Sequence, residues 1–243
     1  MHPLLRRARA LLRSTTIDVT RFTAATHPLA RRMRLLSDHQ IDVVFDVGAN
    51  TGQYATELRD LGYRGWIVSY EPLAAAHREL AATASRDAHW KAIHAGLGPD
   101  PGPATIHVAG NSQSSSLLPM LDAHLASAPE SAVIGTETIT LQTLAQALDE
   151  HASLGARPFV KIDAQGYEQR ILASGGSALA RVIGVQLEMS LVPLYDGEAL
   201  MPALIADLDR LGFVPMSLEP GFADPRTGRL LQVDGVFFRT GDG

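Results

Sequence analysis

The chain has 243 residues, a formal net charge of −5, 46% hydrophobic and 19% charged residues, and no cysteine. The apolar share is too high for a disordered chain, and the missing cysteine removes disulfides, thiolate metal sites and a catalytic thiol. The acidic balance argues against a nucleic-acid partner, because phosphate binding needs a basic excess.

The charge is uneven. Residues 1–40 hold eight arginines against Asp18 and Asp38, a net of +6, which leaves −11 for the rest. The segment reads as a basic, helical accessory arm, and residues 41–243 as one domain. Leu4, Leu5, Ala8, Leu11 and Leu12 fall at helical spacing. A surface helix docked on the acidic body, a dimerisation helix for a homodimer, or peripheral membrane contact would each use that face. Arginines interrupt every apolar run near the start, which argues against a secretory signal and for a cytoplasmic location, although the Arg/Ser/Thr content superficially resembles a transit peptide. No run reaches the length of a membrane span.

From residue 41, strands alternate with helices. Val43–Val47 reads as a buried strand, followed by a helix over Thr51–Leu61. Gly65–Tyr70 is a second strand, and Ala74–Ser85 an alanine-rich helix. Ala88–Gly96 is a third strand and Ala104–Ala109 an edge or hairpin strand. Residues 110–136 are irregular, with a short helix around Leu117–Ser127. Glu137–Leu141 is a strand, followed by a helix from Gln142 to about His151. Phe159–Asp163 is a strong strand signal, Glu168–Ala173 a helix, and Val182–Glu188 a further strand. Leu200–Leu211 is an amphipathic helix, and Phe213–Leu218 with Leu231–Phe238 form a closing pair. This alternation predicts an α/β fold with a mostly parallel sheet and helices on both faces. Ligands of such sheets bind beyond the carboxyl ends of the strands, where Asp46, Glu71, His94, Asp163 and Glu188 fall.

The turn after the first strand is Asp46-Val47-Gly48-Ala49-Asn50-Thr51-Gly52. Its glycines admit a ligand to the backbone, but their spacing is not that of a pyrophosphate loop. Asp46, just before the first glycine, suits a cationic ligand. Glu71, ending the next strand, can take both ribose hydroxyls. A nucleoside with a positive charge and no phosphate answers that description, and S-adenosylmethionine is one.

Phe45-Asp46-Val47-Gly48-Ala49-Asn50-Thr51-Gly52 followed by Tyr70-Glu71-Pro72 resembles the FkbM family of S-adenosylmethionine-dependent methyltransferases. Gly96-Leu97-Gly98, Asn111 with Ser114-Ser115-Ser116-Leu117, and Val160 through Glu168 extend the resemblance over roughly residues 41–215. Gln165 and Gly96 depart from the residues frequent in relatives, an acid and an alanine. The resemblance implies a Rossmann-like class I methyltransferase fold and hydroxyl methylation. It places Gly48, Asn50, Thr51 and Gly52 around the methionine end of the cofactor, Glu71 on the ribose, and Ala95 and Gly96 near the adenine. Asp163 would lie beside the sulfonium and the acceptor oxygen.

An alcohol needs its proton removed before it attacks. Asp163 and Glu188, each after a central strand, are the candidate bases, and as oxygen ligands they are also the candidate holders of Mg²⁺. By fold-level analogy, catechol-type methyltransferases carry Mg²⁺ ligands after the corresponding strands. His94 is a third candidate for the catalytic role. Asn111, Ser114, Ser115 and Tyr195 are candidate contacts to a polyol acceptor. The favoured function is O-methylation of a sugar, glycoside or oligosaccharide. Polyketide, phenolic or lipid-linked acceptors, and a non-catalytic cofactor-binding or dimerisation module, are the alternatives.

Overall fold

A computed structural model describes residues 19–240. The leucine stripe of residues 4–12 lies outside these. Seven strands form one sheet: β1 (Val43–Val47), β2 (Trp66–Tyr70), β3 (Trp90–Ile93), β7 (Pro158–Ile162), β8 (Gly184–Ser190), β9 (Phe213–Pro220) and β10 (Gln232–Arg239). Their order is β3-β2-β1-β7-β8-β10-β9. β3, β2, β1, β7 and β8 are mutually parallel, and β10 runs antiparallel between β8 and β9. This is the class I methyltransferase architecture expected above, with its antiparallel closing pair. Every residue of β1 and β7 is buried. That explains their mostly apolar sequences, broken only by Asp46 and Lys161, since a central parallel strand has helices over both faces.

Helices α1 (Pro28–Asp38), α2 (Gln53–Asp60), α3 (Ala74–Ala84), α4 (Asp122–Ser127), α5 (Leu144–Glu150), α6 (Glu168–Ala173) and α7 (Met201–Arg210) complete the fold. Helix α5 begins two residues later than expected. Thr143 caps it, accepting from the Gln146 backbone N–H while Gln146 bonds back to the Thr143 N–H. That reciprocal pair is a capping box, and it fixes the start. None of the described helices is long and apolar enough to cross a membrane.

One expectation is corrected. Ala88–Gly96 is not a single strand. β3 stops at Ile93, and β4 (Gly96–Leu97) leaves for a second sheet of order β4-β6-β5, with β5 (Gly102–Ala109) and β6 (Val133–Gln142). The predicted edge strand and the predicted strand 137–141 are an antiparallel pair here, registered Gly102↔Leu141 through Ala109↔Val133. A period-2 pattern marks a strand but does not say which sheet it joins. Ile106, Ile139 and Leu141 from this small sheet pack on Leu73 and Ala76.

The sheet order reverses between β1 and β7, so the crevice opens beyond their carboxyl ends. Helix α1, within the basic arm, lies over this end of the sheet. Its Arg32 is buried, with its guanidinium 2.6 Å from Glu219 and 3.3 Å from Glu57.

Candidate active site

The turn after β1 has three residues at positive φ: Gly48 (+73°), Asn50 (+48°) and Gly52 (+93°). Glycine enters this region freely, and asparagine is the side chain that tolerates it best. At Gly48 the need is absolute. A Cβ there would sit 1.8 Å from the Asp163 carbonyl oxygen. The β1 and β7 turns therefore touch through backbone, and Gly48 and Asp163 end up on one wall.

Beneath that wall runs a transverse polar row. Ser69, Asp46, Lys161 and Gln186 are register partners across β2, β1, β7 and β8. Asp46 is fully buried. Its carboxylate accepts from Ser69 Oγ at 3.2 Å and lies 3.2 Å from Lys161 Nζ. Trp90 Nε1 donates in turn to Ser69 Oγ at 3.0 Å. Burial by itself would lower the lysine's pKa. The charges of Asp46 and Asp163 outweigh it and hold the ammonium protonated above its ordinary value. Asp46 is thus the structural counter-ion of Lys161 and does not line the crevice, contrary to the direct cofactor contact expected of it.

The crevice is a cavity of about 500 Å³. Of the expected residues, Gly48, Asn50, Glu71, Gly96, Ser115, Asp163 and Glu188 line it. Asp46, Thr51, Gly52, Ala95, His94, Asn111, Ser114 and Tyr195 do not. Gly52 is needed for packing, since a Cβ would meet Leu80 at 2.9 Å and Trp90 at 3.1 Å. Thr51 lies on the outer side of the turn, lining a shallow surface pocket with Thr56 and Asp60. Ala95 is buried in the main core. His94 is exposed, stacked on His77 at 4.6 Å and 3.1 Å from the Pro72 carbonyl oxygen. Asn111 caps a short 3₁₀ turn and donates to Ser131, and Ser114 is buried against the same Ser131. Tyr195 is buried behind Gln165. The loop hydroxyls mostly hold their own loop, and among the described residues no histidine lines the cavity.

Glu71 sits where two turns meet. One oxygen accepts from the Asn50 N–H and the other from the Leu73 N–H, both at 2.8 Å. Burial pushes its carboxyl up to about 7, against these two bonds, which favour the charged form. The next βα turn is held by Glu168, whose Oε1 accepts from Ala164 N–H at 2.8 Å and Gly166 N–H at 3.2 Å. Burial pushes Glu168 up to about 8. Both folded carboxyls bind protons more tightly than unfolded ones do. Their stability contribution is complete below about pH 4.5 and is lost as pH rises through about 7 and 8. Thermal stability is expected to fall between pH 5 and pH 9, and Glu168→Gln, which keeps the acceptor oxygen, to fall by several degrees less. Melting curves across that range test this, and equal slopes for the two proteins would refute it.

The acid cluster lies beyond the row. Glu188 and Asp234 stand directly opposite each other on β8 and β10, and both line the cavity with Asp163. Like charges in that position oppose sheet formation. Burial, then the charges of Asp163 and Glu168, push Glu188 well above the ordinary carboxylate range, and burial with Asp163 also raises Asp234. Gln165 Nε2 donates to Asp163 Oδ1 at 2.9 Å and to Glu188 Oε2 at 2.6 Å. The position between the two carboxylates is therefore filled by an amide nitrogen, which does not fit the Mg²⁺ expected there. Among the described residues no group of three or more His, Asp or Glu side chains is arranged to hold a metal ion.

Arg32, Tyr54, Gln186 and Asp234 also line the cavity and were not foreseen. Gln186 and Asp234 were legible in principle. The first alternates with Glu188 along β8, and the second is the lone acid in the apolar run Leu231–Phe238. Arg32 and Tyr54 carried no such signal.

The other end of the cavity is apolar, with Leu73, Leu97, Ile106, Ile139 and Leu141. An apolar slot, a carboxylate at the end of β2, and a backbone cradle at Gly48 together fit a nucleoside. A family model of the methyltransferase FkbM domain matches residues 46–215. The chain belongs to the FkbM methyltransferase family. It is a methyltransferase family protein whose cofactor is S-adenosylmethionine. No curated protein matches the chain. Among solved structures, this FkbM protein is similar to an rRNA methylase from Streptococcus thermophilus, with 10% identity over 92% of this chain and 99% of that one and a TM-score of 0.47. It is similar to magnesium protoporphyrin IX methyltransferase from Synechocystis, solved with bound cofactor, at 11% identity over 87% and 78% with a TM-score of 0.45. It is also similar to a methyltransferase FkbM from Methylobacillus flagellatus, at 14% identity and a TM-score of 0.44. That match covers 80% of this chain but only 43% of the other. Likeness at this level says nothing of the substrate.

Proposed function

We propose that this FkbM protein transfers a methyl group to a hydroxyl of a sugar, glycoside or oligosaccharide. The observation that carries the reading is the polarity of the cavity beyond Asp163, where Tyr54, Lys161, Gln186, Glu188 and Asp234 converge. These groups are paired with one another and with their neighbours, yet each keeps further donor or acceptor capacity that a phenolic, polyketide or lipid acceptor would cover without using. A polyol pairs both donors and acceptors. The −11 of residues 41–243 weighs against a phosphate backbone as acceptor.

Residues 41–243 form the catalytic unit in this reading. The amino-terminal segment supplies helix α1, whose Leu29 and Arg32 wall the acceptor end. The apolar slot takes the adenine, and Glu71 takes the ribose.

S-adenosylmethionine, when bound, supplies the electrophilic methyl group. The protein's part is to position an oxygen against it and to take the oxygen's proton. Positioning should dominate, because charge is dispersed as the methyl moves and strong anchoring of the sulfonium would gain little. Asp163 or Glu188 accepts the proton. Lys161 Nζ lies 3.5 Å from Asp163 Oδ2, on the side away from the amide of Gln165.

The test is a panel of methyl glycosides, simple phenols and long-chain alcohols incubated with methyl-labelled cofactor. Label is expected on the glycosides. Label on phenols or aliphatic alcohols, with none on any glycoside, would overturn the reading.

A further inference from the structure

We propose that Gln165 closes this site to divalent cations and holds Asp163 and Glu188 as a metal-free carboxylate pair. The proposal rests on the reading above only in taking these two acids as the acceptor-facing pair.

A divalent ion shared by two carboxylates sits between their oxygens, at about 2.0–2.6 Å from each. Here one amide nitrogen holds that place, 2.9 Å from Asp163 Oδ1 and 2.6 Å from Glu188 Oε2. Its two hydrogens serve the two oxygens. The amide cannot usefully turn round. Its Oε1 lies 2.7 Å from the hydroxyl of the buried Tyr195, which donates to it. Reversal would set the amide oxygen against two carboxylates. The backbone is fixed as well. Gln165 stands at φ +53°, and its carbonyl accepts from Ser116 Oγ at 2.7 Å. A second amide, Gln232 Nε2, donates to the same Glu188 oxygen at 2.8 Å. The ammonium of Lys161 faces Asp163. Two amides thus supply donors to the carboxylate oxygens that a cation would ligate, and the ammonium that faces Asp163 is shared with Asp46. Gln165 acts as a positioning residue, through the two acids.

One change should convert the site. Gln165→Glu has the same shape and puts a third carboxylate where the amide nitrogen stood. With Asp163, Glu188 and the neighbouring Asp234 it makes a cluster of acids whose repulsion either a bound proton or a bound cation relieves, so the titration is run at a pH high enough to favour the cation. The experiment uses the full chain, stripped with EDTA and titrated with Mn²⁺ alone, and follows the six-line electron paramagnetic resonance signal of free Mn²⁺. The wild type is expected to leave that signal intact. Gln165→Glu is expected to quench it, with Mn²⁺ affinity raised at least about tenfold, or ~1.4 kcal/mol. Adding Glu188→Gln to that variant should return it to the wild-type response. S-adenosylhomocysteine raising the melting temperature of each variant reports that the fold and cofactor end are intact. Wild-type binding as tight as that of folded Gln165→Glu, or no gain in that variant, would overturn the proposal. Should Gln165→Glu not fold, Gln165→Ala removes the amide without adding charge. Its Mn²⁺ binding should exceed the wild type's, and equality would overturn the proposal. None of these readouts involves an acceptor, so failure of the glycoside panel and failure of this inference are separate results.

Discussion

Asp163→Ala is expected to lower methyl transfer by about 10²–10⁴-fold, the range lost with a general base, while leaving the protein folded. The side chain is about one-third exposed and lines the cavity, so its removal opens no core void. Lys161 keeps its buried partner Asp46 in the variant. The Asp163 backbone, which meets Gly48 and donates to the Val47 carbonyl, is untouched. Labelled transfer to the best glycoside of the panel reads the activity, and the melting temperature with S-adenosylhomocysteine reads the fold. Turnover within a few-fold of the wild type would remove Asp163 from the chemistry and leave Glu188 as the base.

Lys161→Met carries the largest expected cost in stability. The methionine keeps most of the stem but strands Asp46, which is fully buried with Ser69 as its remaining side-chain donor. Removing one member of a buried ion pair costs about 3–5 kcal/mol, because the other charge stays buried and uncompensated. The ammonium also lies 5.5 Å from the Tyr54 ring centroid, a smaller contribution lost with it. Urea unfolding measures the loss. The double variant Asp46→Asn/Lys161→Met should recover much of it, because no charge is then stranded. A single-variant loss below about 1 kcal/mol would show that water reaches Asp46 and that the polar row is not dry.

Most of the central sheet was legible. β1 and β7 are five-residue, mostly apolar and β-branched segments between turn signals, each broken by one charged residue, and their shortness and β-branching favour a buried strand over a helix. The closing pair Phe213–Leu218 and Leu231–Phe238 was legible for the same reason. The second sheet was not, because pairing partners are chosen by contacts between distant segments. β5 meets β6 across residues 110–132.

The site divided along the same line. Gly48, Glu71, Asp163 and Glu188 were readable because they end strands, and strand ends meet at the crevice whatever the details. His94 also ends a strand, yet β3 is the outermost strand of its half and its end lies outside the cavity. Asp46 was read as a ligand because it precedes a glycine. Register alone pairs it with Lys161 and turns it into a counter-ion.

The sequence by itself pointed to the cofactor class, since the glycine turn after β1 and Glu71 at the end of β2 are local features of one βα turn and its neighbour. It also determined that any metal must be held by oxygen or histidine, because the chain has no cysteine. The tertiary structure alone decided which groups face the acceptor. Arg32, Tyr54, Gln186 and Asp234 come from α1, α2, β8 and β10 and become neighbours only when the sheet is complete. It also decided that Gln165 spans the two carboxylates, because the reach of that side chain depends on a left-handed backbone and on Tyr195, thirty residues away.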